Sequence, residues 1–194
     1  MVMAKDVVEA ASDEALLVAY GRGERAAAQA LTARLAPMAL RVAARMLGDP
    51  AEAEDVTQEA MLRLWRAAPG WRTGEARIST WLYRVVSNLC IDRLRKARAQ
   101  ALDAVPEPAD GAPGAEARMQ QAARTRALEA ALMRLPERQR QAVVLRHLEG
   151  LSNPEIADVM EIGTEAVESL TARGKRALAA DLAGRRSELG YDDD

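Results

Sequence analysis

The sequence predicts an all-α fold, with two small helical domains joined by a flexible acidic linker. Three observations carry this. The apolar residues are mostly Ala, Leu, Val and Met; Phe is absent, and only three Trp and three Tyr occur, a set that favours helices over sheets. Apolar positions recur at helical spacing, and no alternating strand pattern competes. Residues 101–117, "ALDAVPEPADGAPGAEA", hold three prolines, two glycines and four acids with no basic residue, and so contain little to bury.

The elements follow in order. Before the linker, helices are expected at about 12–22, 24–47, 51–68 and 79–98, with Gly48-Asp49-Pro50 and Pro69-Gly70 as breaks. After it, they are expected at about 117–134, 136–148, 152–160 and 164–183. Ser152 followed by Glu155 reads as a capping box, and Pro154 fits a first helical turn. The domains are expected at 12–98 and 118–183, with the linker at 99–117. An acidic tail at 184–194, ending "YDDD", reads as disordered and solvated.

A chain of 194 residues, 49% of them hydrophobic, can supply a core for one average domain or two small ones. No run of about 18 apolar residues exists, and Lys5 and Asp6 interrupt the N-terminus, so membrane insertion is not expected. The single cysteine, Cys90, excludes an internal disulfide or a cysteine metal cluster. The single histidine, His147, is read as a packing residue. These features suggest a cytoplasmic protein without metal or other cofactor. Net charge is −2 with a pI near 5.7, so any nucleic-acid contact must come from local patches. The first hundred residues carry 15 basic against 12 acidic side chains, and residues 118–194 carry 12 against 13.

The stretch "RISTWLYRVVSNLCIDRLRK" (77–96) holds the first such patch. At 100° per residue, Ile78, Leu82, Val85, Val86 and Leu89 share one side and predict core. The opposite side carries Arg77, Thr80, Arg84, Asn88, Ile91 and Arg95. Residues 84–98 contain five Arg/Lys against one Asp, and four of the six aromatic residues (Trp65, Trp71, Trp81, Tyr83) fall within 19 positions. Between them lies the polar loop "WRTGEARIS". Rings beside guanidinium groups suit unstacked bases, and the basic turn that follows suits phosphates. A solvated face beside a core is the simpler alternative, and Trp65 is assigned to the core.

"PAEAEDVTQEAMLRLW" (50–65) opens with Pro50 and first-turn acids, a good helix start. Val56, Ala60 and Leu64 face inward; Asp55, Gln58, Glu59, Leu62 and Arg66 face outward. Leu62 at the centre of a polar stripe is a residue that a partner could cover, although stray exposed leucines are common. The third constellation, residues 136–178, has a trihelical layout: Gly150 ends one helix, Ser152 starts the next, and "EIG" turns into another begun by Thr164. Ile156, Ala157, Met160, Ile162, Val167 and Leu178 are expected to fill its core, leaving the last helix free to enter a major groove. Plain packing of helices explains such a pattern too.

With these motifs in this order, the sequence resembles an extracytoplasmic-function (group four) sigma factor of the sigma-70 family, from about residue 12 to residue 183. "DPAEAEDVTQEAMLRLW" is similar to region 2.2, which grips the clamp coiled coil of RNA polymerase. "STWLYRVVSNLCIDRLRK" is similar to regions 2.3 and 2.4, which open and read the −10 element. "LPERQRQAVVLRHLEGLSNPEIADVM" with the last helix is similar to region 4, which reads the −35 element and touches the polymerase flap. The linker matches the connector that replaces region 3 and threads toward the RNA exit path.

The resemblance implies that Asp55, Gln58, Glu59, Leu62 and Arg66 contact the clamp. It implies that Trp71, Arg72, Arg77 and Ser79, in and beside a base-capturing loop, serve the −10 element. Trp81, Arg84, Asn88, Arg93, Arg95 and Lys96 would lie along the separated strand. Glu165, Glu168, Ser169, Ala172, Arg173, Lys175 and Arg176 would face the −35 duplex. Where the family's reading helix often runs Thr-Val-Lys-Ser-Arg-Leu, this chain has Ala166, Val167, Glu168, Ser169, Leu170 and Thr171. An acid therefore replaces one expected cation, and Glu168 can accept from cytosine N4. Gly174 inside the helix costs about 1 kcal/mol relative to alanine, and the sequence offers no reason for it. The family usually answers to an anti-sigma factor, so core polymerase, promoter DNA and such a factor are the expected partners.

Three rival readings remain open on sequence grounds. A decoy that sequesters an anti-sigma factor would keep the Leu62 surface but need no basic stripe at 84–98. A helix-turn-helix repressor would bind duplex DNA tightly without polymerase. An enzyme is disfavoured: there is no Gly-rich phosphate loop, and the lone Cys and His lie far apart.

Overall fold

A computed structural model describes residues 11–72, 74, 77–101 and 116–183. Among them every regular element is helical. Helix α1 spans Asp13–Gly21, and the Ser12 hydroxyl caps it by accepting from the Ala15 amide at 3.2 Å. Helix α2 (Arg25–Leu47) ends where Gly48 turns left-handed, with φ at +72°. A side chain at Gly48 would also meet the Met133 sulfur at 2.7 Å, so two independent constraints favour glycine there. Helix α3 (Pro50–Ala67) starts with Pro50 in its first turn and the Asp49 carboxylate on the amides of Ala51 and Glu52. A short 3₁₀ turn, Ala68–Gly70, leads toward α4 (Ile78–Ala101).

Beyond the linker come α5 (Glu116–Arg134) and α6 (Glu137–Val143). Helix α6 runs on into a π turn, Val144–Leu148, so the segment expected as one regular helix changes pitch near its end. Helix α7 (Asn153–Met160) opens with the expected capping box, in which Ser152 and Glu155 bond reciprocally. Its end is unusual, because Glu161 rather than glycine takes the left-handed position, with φ at +54°. Helix α8 covers Thr164–Ala183. The linker proper and the acidic tail lie outside the described residues.

The larger core lies among α1, α2, α3 and α4, where Leu16, Leu17, Leu31, Val42, Met46, Val56, Leu64, Ile78, Leu82 and Val86 are buried. Leu132, Leu135, Val143 and Val144 belong to the same cluster, so helices from both halves of the chain share apolar contacts. A smaller cluster (Ala142, Leu145, Leu151, Ile156, Val159, Met160, Val167) builds the helix-turn-helix, and Tyr83 of α4 packs against both. The two halves therefore meet directly, with α5 and α6 on α2 and with α7 on α4.

The core side of α4 differs from the angular expectation. Ile78, Leu82 and Val86 are buried, but Val85 and Leu89 are only half-buried, while Ser87 and Cys90 are fully enclosed. Ile91 and Thr80, expected outside, are half-buried. The helix is covered from two directions, by α2 and α3 and again by α7, so its buried surface is wider than one apolar side. Leu178, assigned to the small cluster, packs against the large one instead.

The structure accounts for Gly174. A Cβ there would lie 2.6 Å from Val143 Cγ2 and 3.2 Å from the Gln139 carbonyl oxygen, so α8 crosses α6 at close backbone approach. In Gly174→Ala, a helix-propensity gain of about 1 kcal/mol opposes overpacking of about 1–3 kcal/mol. Because the contact includes backbone, overpacking is expected to prevail by about 1 kcal/mol. Chemical denaturation should show a lower midpoint with an unchanged slope.

Candidate partner and nucleic-acid interfaces

The outer face of α3 follows from its amphipathic spacing. Ala53, Val56, Ala60, Met61 and Leu64 turn inward, which leaves Asp55, Gln58, Leu62 and Arg66 exposed and Glu59 half-exposed. Leu62 is 48% exposed, among the described residues one of two large apolar side chains on the surface. Arg63 donates to Glu59 at 2.9 Å, and this bond holds the Glu59 carboxyl below its ordinary range. The result is an apolar knob framed by fixed charges, which suits a helical partner surface.

On α4 the expected strand-facing residues divide into two groups. Asn88, Arg95 and Lys96 are exposed, and Arg77 lies exposed just before the helix. Ser79 and Trp81 are half-buried; the Trp81 ring meets Trp71 edge-on at 5.8 Å, and both pack against the core. The Trp71 indole nitrogen is buried without a hydrogen-bond partner. Arg72 is exposed, while residues 73, 75 and 76 of the expected base-capturing loop lie outside the described set. Trp65 packs on the core as expected, with its ring 4.7 Å from that of Tyr20. Arg93 turns toward α3, where it pairs with Glu52 and Asp55, and so ties the outer stripe of α3 to α4.

Helix α8 presents Glu165, Glu168, Ser169, Ala172, Arg173, Lys175 and Arg176, all exposed, largely at three- and four-residue spacing. Arg173 donates to the Ser169 hydroxyl at 2.9 Å, and Glu168 accepts from the Asn153 amide nitrogen at 3.2 Å. Asn153 begins α7, so the two helices of the motif fix the carboxylate jointly. The Ser152 hydroxyl and amide, donating to Glu155, hold that carboxyl below its ordinary range.

A third set of residues emerges only in three dimensions. The Glu149 side chain, 2% exposed, accepts from Arg45 at 2.5 Å, Arg41 at 3.3 Å and the Tyr83 hydroxyl at 3.3 Å. Burial, with the Glu149 charge in second place, pushes the Tyr83 phenol up to about 12. Arg84 donates to the Asp158 carbonyl at 2.6 Å and pairs with Glu161 at 3.1 Å. Arg77 faces Glu155 at 3.5 Å, and Arg98 faces Glu137 at 3.0 Å. Arg140, 5% exposed, donates to the carbonyls of Met46, Met133 and Leu135 at the ends of α2 and α5. Sequence reasoning missed Arg41, Arg45, Arg140, Glu149 and Glu161. Their partners lie up to 108 positions away, and the only signal was the i, i+4 arginine pair 41/45 on one helix face.

Among the described residues no group of His, Cys, Asp or Glu could hold a metal ion, and no helix is long and apolar enough to cross a membrane.

Comparison with known proteins places these faces in a family. Residues 31–100 match the family model for Sigma-70 region 2, and residues 125–178 that for Sigma-70, region 4. The chain is 36% identical over 171 residues to the ECF RNA polymerase sigma factor SigM of Mycobacterium tuberculosis, covering 87% of this chain and 83% of that one. It is 32% identical over 149 residues to the ECF RNA polymerase sigma factor SigW of Bacillus subtilis, covering 71% and 79%. Among solved structures, CnrH in complex with the cytosolic domain of CnrY aligns with a TM-score of 0.64 at 27% identity, covering 89% of this chain and 97% of that one. The sigma factor RpoE of Bartonella quintana, in complex with the anti-sigma factor NepR, shares the fold, with a TM-score of 0.63 at 20% identity over 78% and 94%. Two matched regions in the family's order, with a relative at this identity aligned along most of both chains, lead to one conclusion: this chain belongs to the extracytoplasmic-function sigma factors of the sigma-70 family.

Proposed function

We propose that the chain binds core RNA polymerase through the Leu62 face of α3 and directs initiation at promoters whose −10 strand is held along α4 and whose −35 duplex is read by α8. An anti-sigma factor, of the kind found with the similar Bartonella protein, would restrain it. The observation that carries this reading is the exposure of Leu62 on α3, of Asn88, Arg95 and Lys96 on α4, and of the α8 stripe, all within the two matched regions.

The weak net charge fits this division of labour. A chain at −2 holds DNA poorly alone, but polymerase positions both reading faces, and weak patches then act together through effective concentration. Flipping a base costs a few kcal/mol. Stacking returns roughly 1–3 kcal/mol per base, enough once the duplex is already held. Alanine at Asn88 or Arg84 removes a polar contact to the strand without touching the Leu62 face. Permanganate footprinting should show promoter opening reduced about tenfold, the equivalent of one lost polar contact, with core-polymerase affinity unchanged. Equal loss of both would count against the assignment.

The α8 stripe carries a separate expectation. If Glu168 accepts from cytosine N4, Glu168→Gln should relax or shift preference at a single −35 position, by about 1–3 kcal/mol per base pair. Transcription from a library randomised across the −35 element measures this directly.

A further inference from the structure

The N-terminal end of α8 carries an acid, Glu168, and its own helix does nothing to hold that acid in place. Three and four residues away stand Thr164, Glu165, Thr171 and Ala172, so no cation one turn along α8 pairs with it, and Glu165 repels it. Its partner comes from the other helix of the motif: the Asn153 amide nitrogen donates to Glu168 Oε1 at 3.2 Å. A carboxylate only accepts, so the nitrogen of Asn153 faces it and the amide oxygen turns away. Both backbones are anchored. Asn153 directly follows Ser152 of the capping box that starts α7, and Glu168 follows Val167, which is enclosed in the smaller core with Ile156 and Val159.

We infer that Asn153 is a positioning residue for −35 discrimination: it fixes the Glu168 carboxylate so that the second oxygen, Oε2, meets an amino donor at one base pair only. The inference rests on the reading of α8 as the −35 helix. In the major groove the amino donors are cytosine N4 and adenine N6, and adenine sets its N7 acceptor beside its donor. Guanine and thymine present acceptors and no donor. A fixed carboxylate therefore favours cytosine. A glutamate left to rotate would swing away from the phosphates or toward the next base, and the preference would spread. Ordering one such side chain changes binding about two- to tenfold. Asn153 supplies that order before DNA arrives.

The test uses the full chain with core polymerase, transcribing a promoter library randomised across the −35 element, with Asn153→Ala and Glu168→Ala made singly and together. Glu168→Ala should cut the preference for cytosine at one position about tenfold. Asn153→Ala should cut the same preference about fivefold and leave the other positions as they were. In the Glu168→Ala background the Asn153 change should have no further effect, since it acts only through the carboxylate. Asn153→Asp, which sets an acid against Glu168, should lose at least as much as alanine. Each preference is a ratio within one preparation, so a partly folded variant still reports it. An Asn153→Ala chain with unchanged preference overturns the inference. So does a loss shared by all sequences in both backgrounds, which marks a direct contact of Asn153 with the phosphates. If Glu168→Ala leaves every position unchanged, the reading role of Glu168 falls and the inference with it. A preference that follows Glu168 but not Asn153 overturns the inference alone.

Discussion

An Arg140→Ala chain is expected to melt well below the unchanged protein and to lose the docking of its two halves. The Arg140 guanidinium is enclosed, and burial pulls its pKa down from the ordinary arginine value. It persists as a cation because carbonyls at the C-terminal ends of two helices receive it: Met46 on α2, and Met133 and Leu135 at the end of α5. Such carbonyls have no partner within their own helix and carry the negative end of its dipole. Truncation to alanine leaves a void and several buried acceptors without donors, at a cost of about 3 kcal/mol. For a chain of this size that corresponds to a fall of roughly 6–12 °C in melting temperature. Differential scanning calorimetry measures it. An Arg140→Lys chain tests the geometry, because one ammonium cannot replace a planar fork aimed at carbonyls from two helices.

Leu62→Asp is expected to have the largest functional effect. Leu62 is half in solvent, so the substitution should leave folding nearly unchanged. Its cost appears on association. An apolar knob inside a ring of polar neighbours has the anatomy of an interface anchor, and an acid there would be buried without a partner against the polymerase clamp. Loss of such an anchor costs about 2–4 kcal/mol, or roughly 30- to 1000-fold in affinity. Titration of labelled chain with core polymerase reads this directly. A circular-dichroism melt that overlays the unchanged protein separates it from unfolding. Leu40, 38% exposed on α2 and outside this stripe, provides the control: Leu40→Asp should leave polymerase affinity within about twofold.

Much of the architecture was legible because local chemistry agreed with the tertiary outcome. Asp49-Pro50, Ser152 with Glu155, and Gly150 mark helix ends through interactions that span only a few residues, and the helices begin and end within a few residues of the expected positions. The outer stripe of α3 was legible for the same reason, since a single buried side leaves one answer for the other. Helix α4 was harder. Ser87 and Cys90, on neither of the sides that the angular pattern marks, are enclosed, and Cys90 belongs to the larger core. Burial pushes the Cys90 thiol up to about 12, consistent with a packing role.

Gly174 shows the same limit from the other side. Its purpose is a backbone approach between α8 and α6, and that neighbour is more than thirty residues away in the chain. Glu149 was the least visible of all. It stands beside a helix-ending glycine, outside every sequence motif, yet it takes three donors from α2 and α4. Pairing at such separations is decided by packing of the halves, and nothing within a few residues of Glu149 records it.

On the proposed function, α4 grips a separated promoter strand while α8 holds intact duplex, both under the direction of polymerase bound at α3. Reconstitution tests it most directly: purified chain with core polymerase, transcribing a library of genomic promoters, with transcript 5′ ends sequenced. Start sites are expected downstream of two short shared elements at fixed spacing, and none when the Leu62→Asp chain is supplied. A chain that joins core polymerase yet yields no promoter-dependent transcripts, or one that never joins it, would overturn this function.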